Sequence, residues 1–101
     1  MFDIVYVSYN SSKWIDKCFG SLLNLDYDLK KLNIYVVDNA STDNTVDLLN
    51  AFAEKHGNAF GTFEVIGEKS NWGFGKANNI GFSKGESDFV CFLNIDTEVF
   101  A

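Results

Sequence analysis

The chain contains no proline and no arginine, only two cysteines and a single histidine. Without proline there is no Pro-rich linker and no Pro-marked boundary, so residues 1–101 are read as one unit. Without arginine the eight basic residues are all lysines, set against fourteen acidic ones for a net charge of −6. A surface of that sign is unsuited to neutralising nucleic-acid phosphates or to docking on anionic lipid, so no nucleic-acid partner is expected. Any phosphate held by this chain must lean on backbone N–H groups, on Lys76 or on a metal ion. Cys18 and Cys91 are far apart, form no CxxC pattern and stand among apolar residues, as reduced, buried thiols do. No apolar run approaches the ~20 residues of a membrane span, and no signal peptide precedes Asp3. The expectation is a cytoplasmic protein, peripheral at the inner membrane at most within a longer chain.

What is present builds a core. Nearly half the residues are hydrophobic, and ten are phenylalanine, enough for a chain of this length to bury roughly 60–70% of its unfolded surface without disulfides. Four runs read as strands: Ile4-Val5-Tyr6-Val7, Ile34-Tyr35-Val36-Val37, Phe63-Glu64-Val65-Ile66 and Phe89-Val90-Cys91-Phe92-Leu93. Three are almost continuously apolar, which suits strands buried on both faces of a parallel sheet. Between the first two, Trp14, Ile15, Cys18, Phe19, Leu22 and Leu23 form one helical face, with Asn10, Ser11 and Ser12 as candidate caps. A second helix is predicted from Ser41-Thr42-Asp43, with Val46, Leu49, Phe52 and Ala53 inward, ending at a His56-Gly57 cap. A third is predicted from about Gly73 to Lys84, stopped by Gly85, although two internal glycines weaken it. The order β-α-β-α-β-α-β implies a parallel sheet with right-handed crossovers.

In such sheets ligands bind beyond the carboxyl ends of the strands. Here those ends are polar: Ser8-Tyr9-Asn10 after the first strand, Asp38 to Asp43 after the second, and Asn94-Ile95-Asp96-Thr97-Glu98 after the fourth. Each has a plain structural reading, since Asp and Asn favour turns and caps, and Asp43 reads as a helix-start residue. Their convergence on one edge points to a ligand. Gly73-Phe74-Gly75 does not follow the first strand and is no dinucleotide fingerprint. His56 reads as a helix-end residue.

Four words carry a family resemblance: Ser8-Tyr9-Asn10; Val37-Asp38-Asn39-Ala40-Ser41-Thr42-Asp43-Asn44-Thr45; Asn71-Trp72-Gly73-Phe74-Gly75-Lys76-Ala77-Asn78-Asn79; and Phe92-Leu93-Asn94-Ile95-Asp96-Thr97. In order and spacing the chain resembles the inverting family 2 glycosyltransferases of GT-A fold, in their rhamnosyltransferase-like branch. The resemblance implies an α/β, Rossmann-like parallel sheet of order 3-2-1-4 with helices on both faces, forming a partial GT-A fold. It implies that Val7, Ser8 and Tyr9 line a nucleobase pocket, with Tyr9 stacking, and that Asp38 accepts the base N3–H. The plainer alternatives are a core aromatic for Tyr9 and a turn residue for Asp38. Asn94-Ile95-Asp96 takes the place of the family's DxD motif, with Asp96 as ligand to Mg²⁺ or Mn²⁺. Asn94 would meet the ribose or a metal-bound water, while Glu98 reads as solvated. Lys76 would meet a phosphate or face solvent, and Asn78 stands where many relatives carry Arg.

The expected function is therefore the binding of a UDP- or dTDP-linked sugar for transfer, with inversion, to a saccharide or lipid-linked acceptor. The acceptor half and the general base are expected beyond Ala101, and a strand edge left uncovered is expected to promote homo-oligomers. The alternative is a stand-alone nucleotide-binding or regulatory module. A receiver-type signalling domain would need a lysine ending a later strand, and none does.

Overall fold

The computed structural model describes residues 2–24, 28–68 and 89–94. Its elements, in chain order, are β1 (Phe2–Ser8), α1 (Ile15–Leu23), β2 (Leu32–Asp38), α2 (Thr45–His56), β3 (Thr62–Gly67) and β4 (Phe89–Asn94). β1 lies between β2 and β4, β2 pairs with β3, and every pairing is parallel, giving the order β3-β2-β1-β4. Each strand falls on one of the four apolar runs. The helix predicted near Gly73–Lys84 lies outside the described residues.

The chain steps from β1 to β2 to β3 in one direction, then crosses back to the far side of β1 for β4. Two successive crossovers of the same hand and direction deliver their helices to the same face. Accordingly Ile4 and Tyr6 of β1 and Leu32, Ile34 and Val36 of β2 share one core with Ile15, Cys18, Phe19 and Leu22 of α1 and Leu49 and Phe52 of α2. Both described helices thus occupy one face; the third predicted helix, on which the expectation of helices on both faces depends, lies outside the described residues. The opposite face, with Val5, Val7, Tyr35 and Val37, is buried as well. Burial on two sides explains why β1 and β2 read as continuous apolar runs. β3 alternates instead, with Phe63 and Val65 against the helix-side core, Ile66 on the other side and Glu64 exposed.

The phenylalanines fill the helix side. The ring of Phe19 meets Tyr6 edge-on at 4.9 Å and packs against Phe52 and Phe63, each at 5.4 Å. Such pairs add to the burial of their area. Cys18 is a buried thiol in this core, while Cys91 is described only by its place in β4.

The helix boundaries differ from the sequence reading for identifiable reasons. Asn10, Ser11 and Ser12 do not cap α1; a 3-10 turn, Ser12–Trp14, leads into it, and neither N-cap residue, Ser11 of the turn or Trp14 of α1, caps with its side chain. The second helix starts at Thr45 rather than Ser41, because Ser41 and Thr42 spend their hydrogen bonds on Asp38 and Asn10. Leu49 and Phe52 are buried as predicted, and Val46 and Ala53 are half-buried. His56 ends α2 with its ring 4.9 Å from Phe52. Gly57 stays right-handed at φ −56°, ψ −31°, so the chain runs into a 3-10 turn at Gly57–Ala59 rather than the left-handed stop expected of glycine. Among the described residues no helix is long and apolar enough to cross a membrane.

Candidate functional site

The in-register pairing of β1 with β2 sets Ser8 beside Asp38 at the carboxyl edge. The Ser8 hydroxyl donates to Asp38 Oδ1 at 2.7 Å. Ser41 adds its hydroxyl to the same oxygen at 2.6 Å and its backbone N–H to Oδ2 at 2.9 Å. Asp38 is only 1% exposed, so its charge is held by three hydrogen bonds in a desolvated place. An unsolvated carboxylate without such donors would be expensive. A carboxylate has about four acceptor positions, and the one left lies on Oδ2.

The two loops beyond these strands are joined. Asn10 donates its backbone N–H to Ser41 Oγ at 2.8 Å. Its Oδ1 accepts from Thr42 N–H at 2.8 Å, from Thr42 Oγ1 at 3.3 Å and from Asp43 N–H at 3.4 Å. Asn39 N–H donates to Ser8 O at 2.8 Å, and Ser11 N–H to Thr45 Oγ1 at 2.9 Å. Asn10 and Ala40 both have positive φ, 47° and 61°. Asn accepts that conformation readily, while Ala is strained in it.

Tyr9 stands between these anchored residues, 46% exposed. Its backbone is nonetheless fixed, since its N–H donates to Ser11 Oγ and its C=O accepts from that hydroxyl. An exposed ring on a tethered backbone is a presented surface, and the plainer reading of Tyr9 as a core aromatic does not hold. Val7 and Ser8 are buried just below it.

Asp43 is the helix-start residue that its sequence position suggests. Its Oδ1 accepts from Thr45 N–H at 2.9 Å and from the Thr45 hydroxyl. These bonds from Thr45, with smaller contributions from Ser12, hold its carboxyl below the ordinary value despite an opposing desolvation effect.

β4 brings Asn94 to register with Val7, so the Asn94-Ile95-Asp96 word begins at this same edge, beside the reversal of strand order. Asp96, Lys76, Glu98 and Asn78 lie outside the described residues. Among those described, no group of three His, Cys, Asp or Glu side chains could hold a metal. Sequence reasoning gave no role to Ser41 or Asn10 beyond capping. The signal was there: an Asn-Ala-Ser-Thr-Asp run carries more hydroxyl and amide groups than one helix start can use.

Comparison with known proteins agrees with this architecture. The chain is 30% identical over 95 residues to the poly(ribitol-phosphate) beta-N-acetylglucosaminyltransferase TarS of Staphylococcus aureus, covering 94% of this chain and 16% of that one. It is also 30% identical over 95 residues to the probable glycosyltransferase YdaM of Bacillus subtilis, covering 92% and 22%. It therefore spans about a fifth of these relatives' length. The crystal structure of S. aureus TarS 1-349 in complex with UDP-GlcNAc superposes with a TM-score of 0.84 at 30% identity, over 98% of this chain and 27% of that one. The mannosyltransferase PcManGT from Pyrobaculum calidifontis, solved with GDP-Man and Mn²⁺, gives 0.88 at 25% identity, over 96% and 28%. With residues 3–100 matching Glycosyl transferase family 2 on a parallel sheet shared with these enzymes, the chain belongs to that family.

Proposed function

We propose that this chain is the donor-binding part of a glycosyltransferase. It holds a UDP- or dTDP-linked sugar at the carboxyl edge of the sheet, for transfer to a hydroxyl of a saccharide or lipid-linked acceptor with inversion at the anomeric carbon. The observation that carries the reading is the meeting, in a family 2 member, of the exposed Tyr9 ring and the buried Asp38 carboxylate at that edge. Base stacking on an aromatic ring is worth about 1–3 kcal/mol. The imide N3–H of uracil or thymine is the donor that suits the last acceptor position of Asp38, above a floor formed by Val7 and Ser8. TarS, solved with UDP-GlcNAc, supports a uridine donor.

Asn94 and Asp96 offer amide and carboxylate oxygens, hard donors of the kind that Mg²⁺ and Mn²⁺ prefer. In a chain without arginine, Lys76 would be left to meet the diphosphate with little other positive charge. When bound, a divalent ion supplies charge that stabilises the departing diphosphate. The relative solved with GDP-Man and Mn²⁺ supports this. Asn94, standing where the family motif has its first Asp, keeps the chain in the rhamnosyltransferase-like branch, and a cytoplasmic role in cell-surface polysaccharide synthesis fits such a donor. Among the described residues β4 pairs on one side only, with β1, and an open strand edge there favours association between copies.

The test is calorimetry with UDP. Binding should need Mg²⁺ or Mn²⁺ and weaken strongly with EDTA, and Asp96→Ala should remove the metal-dependent part. Equal affinity in EDTA would overturn the metal assignment; absence of UDP binding under every condition would overturn the donor reading.

A further inference from the structure

The Asn10 side chain is placed to do more than fill a turn. Its neighbours in sequence need no cap from it, and every hydrogen bond it makes runs to the loop after β2. Three groups converge on its Oδ1, the Thr42 N–H, the Thr42 hydroxyl and the Asp43 N–H, while its backbone N–H donates to Ser41 Oγ, all 31 to 33 positions away. Ser41 in turn donates to Asp38, which accepts from Ser8. The result is a closed circuit through Ser8, Asp38, Ser41 and Asn10, and Tyr9 is the residue it encloses. Outside the circuit, Ser11 fixes both polar backbone atoms of Tyr9. Because Asn10 is exposed, these bonds add little to the hydrophobic core. What they tie down is the chain at Asn10, next to the exposed Tyr9.

We propose that Asn10 is a positioning residue, which acts through Tyr9 to orient the stacking surface for the nucleobase; this rests on the donor-binding reading above. The residue combines two properties. Asn tolerates a φ of 47° better than most residues, and its amide oxygen gathers the Thr42 and Asp43 amides of the loop that leads into α2. Two substitutions separate them. Asn10→Gly keeps the left-handed backbone and removes the oxygen, while Asn10→Asp keeps both.

The experiment measures the affinity of UDP, and of inorganic pyrophosphate with the same metal, for the protein and its variants, at a temperature where circular dichroism shows each folded. Asn10→Gly should bind UDP about tenfold more weakly, as expected for the loss of one or two hydrogen bonds, with pyrophosphate affinity unchanged. Asn10→Asp should stay within about twofold of the parent. Combining Asn10→Gly with Tyr9→Ala should weaken UDP no further than Tyr9→Ala alone. Equal losses for UDP and pyrophosphate, full additivity with Tyr9→Ala, or an Asn10→Asp as weak as the Gly variant would each overturn the proposal, as would an unaffected Asn10→Gly. If the parent itself binds no UDP, the donor-binding reading fails and takes this one with it. A parent that binds beside an unaltered Asn10→Gly overturns the positioning role alone.

Discussion

Ser41 grips Asp38 twice, with its backbone N–H 2.9 Å from Oδ2 and its hydroxyl 2.6 Å from Oδ1. With Ser8 on the other side, all three donors expect an acceptor. Asp38→Asn offers an amide in which one of the two positions becomes a donor, so at least one of these bonds is lost and an N–H faces an N–H or a hydroxyl. Removing a partner of a buried polar group costs about 1–3 kcal/mol. Urea unfolding should show a loss of that size, and UDP binding should weaken with it. A variant as stable as the parent would mean that the three bonds to Asp38 add nothing to the stability of the fold.

Ala40 holds φ at 61° without the side chain that makes Asn tolerable there. Ala40→Gly removes the clash between Cβ and carbonyl oxygen but frees the unfolded chain, and these oppose each other. The strain is the larger, so thermal unfolding should report a gain of about 0.5–1 kcal/mol. Ala40→Val should move in the other direction, since branching makes a left-handed φ costlier.

Gly61 donates its N–H to Leu29 O and Leu32 O, and a Cβ built on it would lie 2.5 Å from Lys30 O and 2.9 Å from Asn33 Oδ1. The nearest obstacle is backbone, which cannot swing aside. Gly61→Ala should therefore cost about 1–3 kcal/mol, read from the denaturation midpoint. The neighbouring glycine Gly67 has nothing within 4 Å of that position, and Gly67→Ala serves as the control.

Asp43 gives the fold an acid sensitivity of definite sign. Bonds from Thr45, then Ser12, lower its folded-state value below the unfolded one. Its contribution is complete above the unfolded value and disappears as pH falls through the folded one. Over the pH interval below the ordinary aspartate value of about 4, stability should decline by less in Asp43→Asn than in the parent. Melting temperatures across that interval decide it, and parallel curves would refute the cap.

How much of this was legible in the sequence depended on which periodicity carried the information. The four strands declared themselves as apolar runs because β1 and β2 are covered on both sides, and Phe19, Leu22, Leu49 and Phe52 fell inward at helical spacing. The polar strand ends marked the edge at which Ser8, Asp38 and Ser41 are hydrogen-bonded together. What single positions concealed was the choice among partners. Asn10 and Ser41 have ordinary capping chemistry, and nothing in their spacing says that each caps across to the other strand's loop. That choice is made by the register of Ser8 against Asp38, a tertiary fact. The delayed start of α2 follows from the same cause, because Ser41 and Thr42 were already engaged.

The bonds that shape the candidate site also fix when it can form. Those linking Ser8, Asn10 and Ser11 to Asp38, Ser41, Thr42, Asp43 and Thr45 join positions 30 to 34 apart. Each therefore closes a loop holding α1 and β2, and none involves β3 or β4. Closing one such loop closes them all, since the entropic penalty for about thirty residues is met once. The site thus belongs to the first βαβ unit as a single cooperative element. Native-state hydrogen exchange at the Thr42 amide should follow the slow amides of β1 and β2, rather than the faster opening of a surface loop.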